Sequence, residues 1–241
     1  MATQQNPEIS IVIPVTNEAG ALPVCLSHID REASEIVVVD GGSEDETLRI
    51  AEDAKCRVIS LMERHRARQM NCGAARARGR ILLFLHADTW LPPGALDKIR
   101  RAIDDRAALG GGFSRRYRSR SPTLALTSRL AGLRNRLFGW HLGDQAIFVR
   151  RDIFEKLDGY CDIPIFEDLD FSRRLRRRGR TVTLSPPVSS SARRFVERGP
   201  LRTTWNDLLL TRKYLLGTDP NELCQAPRNR LKALQAYERL S

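Results

Sequence analysis

A chain of 241 residues with 41% hydrophobic residues is long enough to bury one ordinary core, and a single α/β domain is the simplest arrangement. A net charge of +11 points toward polyanionic partners such as phosphorylated substrates, anionic lipid or nucleic acid. Aromatic residues at 6% are too sparse for a protein built to stack single-stranded bases, so no specific nucleic acid is expected. Five scattered cysteines (Cys25, Cys56, Cys72, Cys161, Cys224) contain no CxxC pair, which argues against a zinc site or a disulfide framework and suits a reducing cytosol. No stretch approaches the roughly 18 apolar residues of a membrane span, so the chain is expected to be cytoplasmic and at most peripheral at a membrane.

Ile9 to Val15 is rich in β-branched residues and ends at Thr16-Asn17-Glu18-Ala19-Gly20, a cluster suited to a turn and a helix cap. Leu22, Cys25, Leu26 and Ile29 then recur at helical spacing, and Glu35 to Val39 forms a second strand ending at Asp40-Gly41-Gly42-Ser43. Two glycines after a strand let backbone approach a ligand closely, and Ser43, Asp45 and Glu46 read as a capping arrangement. This alternation predicts a parallel sheet with right-handed crossovers. Arg57 to Leu61 is a third strand, and residues 64–78 form a basic helix whose Ala and Gly side packs close to the sheet.

Ile81 to Asp88, ILLFLHAD, is an apolar run that meets a His and an Asp. A strand covered on both faces has this pattern, and ligands gather at the carboxyl ends of such strands. Asp88 also suits a cap for the turn before Leu91-Pro92-Pro93. An amphipathic helix over 94–106 follows. The glycine-rich, basic stretch from Gly110 to Pro122 reads as a mobile segment, either closing over an anionic substrate or simply solvated.

Residues 123–138 are helical in pattern, and Gly143-Asp144-Gln145 precedes a short strand at 146–149. Glu167, Asp168 and Asp170 crowd the start of a helix that ends in arginines. The helix dipole alone accounts for that order. Crowded carboxylates also tune one another's pKa, as a general base requires. A strand over 181–184, a rigid Pro186-Pro187 turn and a basic element at 191–195 follow. The helix over 201–216 places Trp205, Leu208, Leu209 and Leu215 on one side. Packing on the domain is the default for it, with pairing to a second copy in a homodimer or contact with a membrane as the alternatives. The tail from Asn221 is helical in pattern but weakly anchored.

The ordered segments IVIPVTNEAG, EIVVVDGGSEDET, LLFLHAD, GDQAIFVRR and FEDLDFSRRLRRRG resemble the family-2 inverting glycosyltransferases of GT-A fold, over about Ile9 to Phe195. Within that family the chain looks most like a small soluble bacterial subgroup with HADT and SARR signatures, sometimes labelled by radical-SAM or arsenosugar gene neighbourhoods. The resemblance implies one GT-A domain, a Rossmann-like, mostly parallel sheet flanked by helices. A nucleotide-binding half would span about 9–105 and an acceptor half about 106–195, with C-terminal helices over about 196–241.

It further implies a nucleoside-diphosphate sugar donor, a hydroxyl-bearing small-molecule or lipid acceptor, and Mg²⁺ or Mn²⁺. Pro14, Thr16, Glu18 and Asp40 would hold the base and ribose beside Gly41. The family's Asp-Asp-Gly-Ser is here Asp40-Gly41-Gly42-Ser43, one carboxylate short. Its Asp-any-Asp is matched by His86-Ala87-Asp88, so Asp88 would bind the metal while His86 departs at the ribose contact. Asp168 would be the base, with Glu167 and Asp170 in support. Arg193 and Arg194 would clamp the diphosphate, and Gly143, Asp144 and Gln145 would lie near the acceptor. Two other readings are a nucleotidyltransferase, which would need a phosphate loop where TNEAG stands, and an inactive basic protein that binds nucleic acid or a membrane surface.

Overall fold

The computed structural model describes residues 7–31, 34–105 and 107–225. The chain runs β1 (Ile9–Val15), α1 (Leu22–Ser27), β2 (Ser34–Asp40), α2 (Thr47–Asp53), β3 (Arg57–Ser60), α3 (Arg66–Arg76) and β4 (Ile81–Phe84). It continues with β5 (Thr89–Trp90), α4 (Ala95–Asp104), β6 (Gly110–Tyr117), α5 (Pro122–Phe138), a 3-10 turn at Gly143–Gln145, β7 (Ile147–Arg150) and α6 (Arg151–Lys156). The last elements are α7 (Glu167–Arg178), β8 (Thr181–Ser190), α8 (Arg193–Arg198), α9 (Pro200–Leu215) and α10 (Pro220–Gln225).

The strands form one sheet in the order β3-β2-β1-β4-β7-β6-β8-β5. β1, β2, β3 and β4 pair in parallel, as do β6 and β8, while β7 runs antiparallel to both β4 and β6. Side chains alternate faces along each strand. Ile9, Ile11 and Ile13 of β1 enter one core with Ile81 and Leu83, while Val12 enters the opposite core with Leu82 and Phe84. Burial on both faces explains why these strands read as unbroken apolar runs. Gly73 of α3 lies so close to the sheet that a Cβ there would meet Val12 Cγ1 at 2.4 Å, so the small-residue side of the basic helix packs as its sequence predicts.

β4 and β5 are separated by four residues in sequence yet lie at the fourth and eighth places of the sheet. The sheet must therefore curl until the end of β8 reaches the end of β4, where Thr89 pairs with Ser190. His86 and Asp88 sit inside that curl.

Three expectations are corrected. Gly110 to Tyr117 is no mobile segment but an internal strand, buried over Gly110–Phe113. Its glycines answer a packing demand, since a Cβ at Gly111 would meet the Val182 carbonyl oxygen at 1.9 Å and one at Gly110 the Phe148 carbonyl oxygen at 2.4 Å. Pro186 and Pro187 do not end a strand, because β8 runs through them. The register jumps there from Phe113↔Leu184 to Arg115↔Val188, so the two residues without N–H groups fall in an irregularity of the ladder. Finally, α9 leaves much of its apolar side uncovered, with Trp205 63%, Leu208 59% and Leu209 40% exposed. The tail is described only as far as α10, and the rest of the C-terminal segment lies outside the described residues.

Candidate functional site

The chain passes from β1 outward to β2 and β3, then returns to place β4 on the other side of β1. That reversal opens a crevice at the carboxyl ends of β1 and β4, the usual position of a ligand in an open α/β sheet. A larger hollow of about 470 Å³ lies at the amino end of β2 beside Arg31, Asp53 and Lys55. It sits at the opposite edge from the strand ends that carry the chemistry, so we place the site at the crevice.

The loop after β1 is tied down by the loop after β2. Asn17 N–H donates to Ser43 Oγ (2.9 Å), Glu18 N–H to Thr47 Oγ1 (2.8 Å) and Ala19 N–H to Asp45 Oδ2 (3.1 Å), while Glu44 N–H donates to Asn17 Oδ1 (2.9 Å). Asn17 holds a left-handed φ of 53°, which its short polar side chain tolerates. Fixed in this way, the loop presents Glu18 to a cavity of about 330 Å³. Asn17, Glu18, Asp88, Trp90, Arg118 and Arg193 contribute its polar and aromatic lining.

Two carboxylates and two guanidiniums thus share one hollow. Burial, and next the charge of Asp88, raise the pKa of Glu18, while Arg193 and Arg66 oppose the rise. Among the described residues no group of three or more His, Cys, Asp or Glu side chains is arranged to hold a metal. A hard divalent cation that takes one or two carboxylates and completes its shell with phosphate oxygens and water needs no such group. The Asp88–Glu18 pair fits that cation, whose charge would offset their repulsion.

Arg118 is fixed over the Trp90 ring at 3.8 Å, with Nη2 donating to the Asp88 carbonyl oxygen (2.8 Å) and Nη1 to that of Ser189 (2.5 Å). Trp90 in turn stacks on His28 at 4.8 Å between ring centroids. A guanidinium held over an aromatic ring is prepared for phosphate oxygens with little further loss of side-chain freedom.

Deeper in the crevice lie His86 and the 3-10 turn. Burial, aided by the Arg66 charge, lowers the His86 pKa to about 4, so the imidazole is neutral at physiological pH. It abuts Gly143, where a Cβ would meet its ring atoms at 2.6 Å and Asp168 Oδ2 at 3.4 Å. Gly143 N–H donates to that same Asp168 oxygen at 2.6 Å. One glycine therefore separates His86, at the end of β4, from the acidic helix, and only glycine allows the approach.

Beside it, Asp144 pairs with Arg115 at 2.5 Å. Burial alone would raise the Asp144 pKa, but Arg115, with smaller help from His86 and Arg134, brings it below the usual carboxylate range. Ser190 Oγ donates to the Asp144 carbonyl oxygen at 2.8 Å, which joins β8 to the turn.

The start of α7 supplies the second pair of acids. Phe166 has a left-handed φ of 66°, costly for a bulky residue, and its ring stacks on Tyr214 of α9 at 4.9 Å. Glu167 is only 7% exposed, and burial, followed by the charge of Asp168, pushes its carboxyl up to about 7. The Asp168 pKa is also raised by burial, although the N–H groups of Gly143 and Leu169 draw it back. As a whole residue Asp168 is half-buried, while Glu167 is buried.

A buried acid with a raised pKa favours the folded state while it is protonated. For Glu167 that stability is complete below the ordinary value of 4.5 and is lost as pH rises to about 7. The loss amounts to roughly 3 kcal/mol at about 1.4 kcal/mol per unit. Glu167→Gln should therefore gain melting temperature over the parent chain between pH 5 and pH 8. A difference that stays constant with pH would contradict the assignment.

Several expected residues are employed elsewhere. Asp170 lies about 200° around α7 from Asp168 and pairs with Arg174 at 2.7 Å, facing Tyr214 rather than the crevice. Arg194 turns to Asp207 of α9, leaving Arg193 at the cavity. Asp40 is 1% exposed and spends its carboxylate on the N–H groups of Gly42 and Ser43 and on Ser43 Oγ, shaping the turn. Gln145 is fully buried, accepting from Leu142 N–H and Arg134 while donating to the Phe113 carbonyl oxygen. Pro14 is packed inside β1, beyond the last β1–β4 pair, Val12↔Phe84. Thr16 Oγ1 donates to the Val15 carbonyl oxygen, and Gly41 is the close neighbour that leaves it room.

Sequence reasoning passed over Arg66, Trp90 and Arg118. Arg66 opens α3 at the carboxyl edge of the sheet, and its charge acts on Glu18, Glu167 and Asp168 together. Its place just after a strand end was the available signal. Arg118 was hidden by the misreading of β6.

The sequence profile described as Glycosyl transferase family 2 matches residues 10–158. The chain is 33% identical over 183 residues to a PGL/p-HBAD biosynthesis glycosyltransferase of Mycobacterium bovis (strain BCG / Pasteur 1173P2), an alignment covering 70% of this chain and 69% of that protein. Its fold resembles S. aureus TarS 1-349 in complex with UDP-GlcNAc, with a TM-score of 0.62 at 18% identity over 76% of this chain and 58% of that one. It also resembles the mannosyltransferase PcManGT from Pyrobaculum calidifontis in complex with GDP-Man and Mn²⁺, with a TM-score of 0.61 at 22% identity over 78% of this chain and 57% of that one. The chain spans less than two thirds of each of these two solved chains, and likeness at such identities establishes the fold.

Proposed function

The chain belongs to glycosyl transferase family 2, and from that premise we propose that it moves a sugar from a nucleoside-diphosphate donor to a hydroxyl acceptor with inversion, using a divalent cation held through Asp88 and a base at Asp168. Membership makes it a glycosyltransferase and sets the nucleotidyltransferase reading aside. The observation that carries the finer reading is the contact at Gly143, which brings the strand end bearing His86 and Asp88 against Asp168. Donor and acceptor chemistry can then meet across a single backbone residue.

Thr16 and Glu18 belong to the loop that receives the nucleoside, Pro14 lies at the end of β1 that leads into it, and Asp40, the last residue of β2, acts through the turn it shapes. Asp88, with Glu18 beside it, holds Mg²⁺ or Mn²⁺. When bound, the cation neutralises charge developing on the diphosphate leaving group. Arg193 and Arg118 receive phosphate oxygens on the other side of the cavity. Asp168 takes the acceptor hydroxyl proton as that oxygen bonds to the anomeric carbon. The bond from that carbon to the diphosphate breaks, and the nucleoside diphosphate departs with the electron pair. Glu167 stays covered and keeps the local proton count adjustable near neutrality, while neutral His86 stands where the family has a carboxylate. The reaction would take place in the cytoplasm on donors bearing UDP, GDP or a related nucleotide, as in the solved relatives that bind UDP-GlcNAc and GDP-Man.

The test is nucleoside-diphosphate release from a panel of such donors with Mn²⁺ or with chelator, combined with the proton NMR coupling of the product's anomeric centre. Metal-dependent release with the anomer opposite to the donor's is expected. Retention of configuration would overturn the single-displacement geometry.

A further inference from the structure

We propose that the neighbouring helices α5 and α9 form a docking surface for an anionic lipid bilayer. On α5, Leu126, Leu130, Leu133 and Leu137 recur at intervals of four, three and four, and they are 56%, 57%, 54% and 61% exposed. One stripe of a helix is therefore apolar and faces solvent. On α9, Leu201, Trp205 and Leu208 repeat the spacing at 73%, 63% and 59% exposure. The two helices pack beside each other, and the small cluster of Tyr117, Leu124, Ala192 and Phe195 anchors α5 and α8 to the domain below.

Charge selects the occupant. α5 contains three arginines and no acid, and Arg129 and Arg136 are exposed. α9 adds exposed Arg202, Arg212 and Lys213, while its single acid, Asp207, is already paired with Arg194. A second copy of the chain would set like charges against each other across the contact. A bilayer with negative headgroups takes the leucine rows into its interface and the flanking bases onto its phosphates, with Trp205 at a depth that suits indole. None of the described helices is long and apolar enough to cross a membrane, so the contact is superficial.

The surface borders the crevice. α9 also carries Tyr214, which stacks on Phe166 at the start of the base helix, and α8 begins with Arg193 of the donor cavity. On the transferase reading, the acceptor would be a hydroxyl displayed by a lipid and reached from the bilayer.

The test is co-sedimentation of the full chain with phosphatidylcholine vesicles, with and without about 30 mol% phosphatidylglycerol, together with tryptophan emission. We expect binding to the anionic vesicles, a blue shift that Trp205→Phe removes, and roughly tenfold weaker partitioning for Leu130→Glu and for Trp205→Glu. Both sites are exposed, and calorimetric binding of UDP and GDP with Mn²⁺ should be unchanged in these variants. That separates the fate of the docking surface from the fate of the transferase reading. Absence of binding to anionic vesicles, or equal binding by Leu130→Glu, would overturn the proposal. So would a dimer in sedimentation velocity that Leu130→Glu dissociates while vesicles go unbound, which would assign the face to a second copy.

Discussion

Asp168→Asn should lower sugar transfer by about 10²–10⁴-fold, the usual contribution of a positioned general base, while nucleotide affinity stays within about twofold of the parent. The substitution preserves shape. Asp168 accepts from Gly143 N–H and Leu169 N–H, both at 2.6 Å, and an amide can serve only one of these with its oxygen. The fold should lose about 1–2 kcal/mol for the unserved donor. Removing a buried charge beside Glu167 returns part of that at neutral pH. The effect therefore separates from unfolding when melts accompany the kinetics. Asp170→Asn is the control, because that carboxylate pairs with Arg174 and faces Tyr214. If Asp170→Asn abolished transfer while Asp168→Asn kept it, the base would have been assigned to the wrong face of α7. The pH profile of the parent enzyme should rise through an apparent value above that of an ordinary aspartate, since burial raises the Asp168 pKa.

Asp88→Ala should reduce transfer by at least about 10²-fold, and most of the loss should come from the metal-dependent part of diphosphate binding. Asp88 lines the cavity, and its carboxylate accepts a long hydrogen bond from Thr89 Oγ1 at 3.4 Å. Its backbone carbonyl is what holds Arg118, so that anchor survives the truncation. Glu18 remains on the opposite wall and, relieved of its like-charged neighbour, ionises more readily. Some weak cation binding through Glu18 should persist, which makes Asp88→Ala an impaired enzyme with an increased metal requirement. Recovery of much of the lost rate by a tenfold increase in Mn²⁺ would agree with this; a rate unaffected by metal in both proteins would not.

The first half of the fold was legible because its strands alternate with helices and are covered on both faces. Ile9 to Val15 and Ile81 onward could hardly be anything else, and the acids after them fell at one sheet edge by topology. The second half was less legible for identifiable reasons. Glycine in β6 serves strands that approach too closely for a side chain, yet in composition it looks like flexibility. The prolines of β8 signal a turn, yet they are absorbed by a jump in register. The order of the motifs suggested the roles of Asp88 and Asp168, but no local pattern shows that Gly143 would stand between His86 and Asp168, because that contact needs the end of β4, the 3-10 turn and α7 in place together. Nor could sequence decide which member of Arg193-Arg194 turns to the cavity. Asp207, on the next helix, draws Arg194 away.

The most direct measurement is a calorimetric titration of UDP and of GDP into the parent chain and into Asp88→Ala, each with Mn²⁺ and with chelator. Binding of one nucleotide by the parent only when metal is present, weakened at least about tenfold in Asp88→Ala, is the result expected if Asp88 is the residue that would hold the cation. Tight binding that neither chelator nor the substitution alters would contradict it.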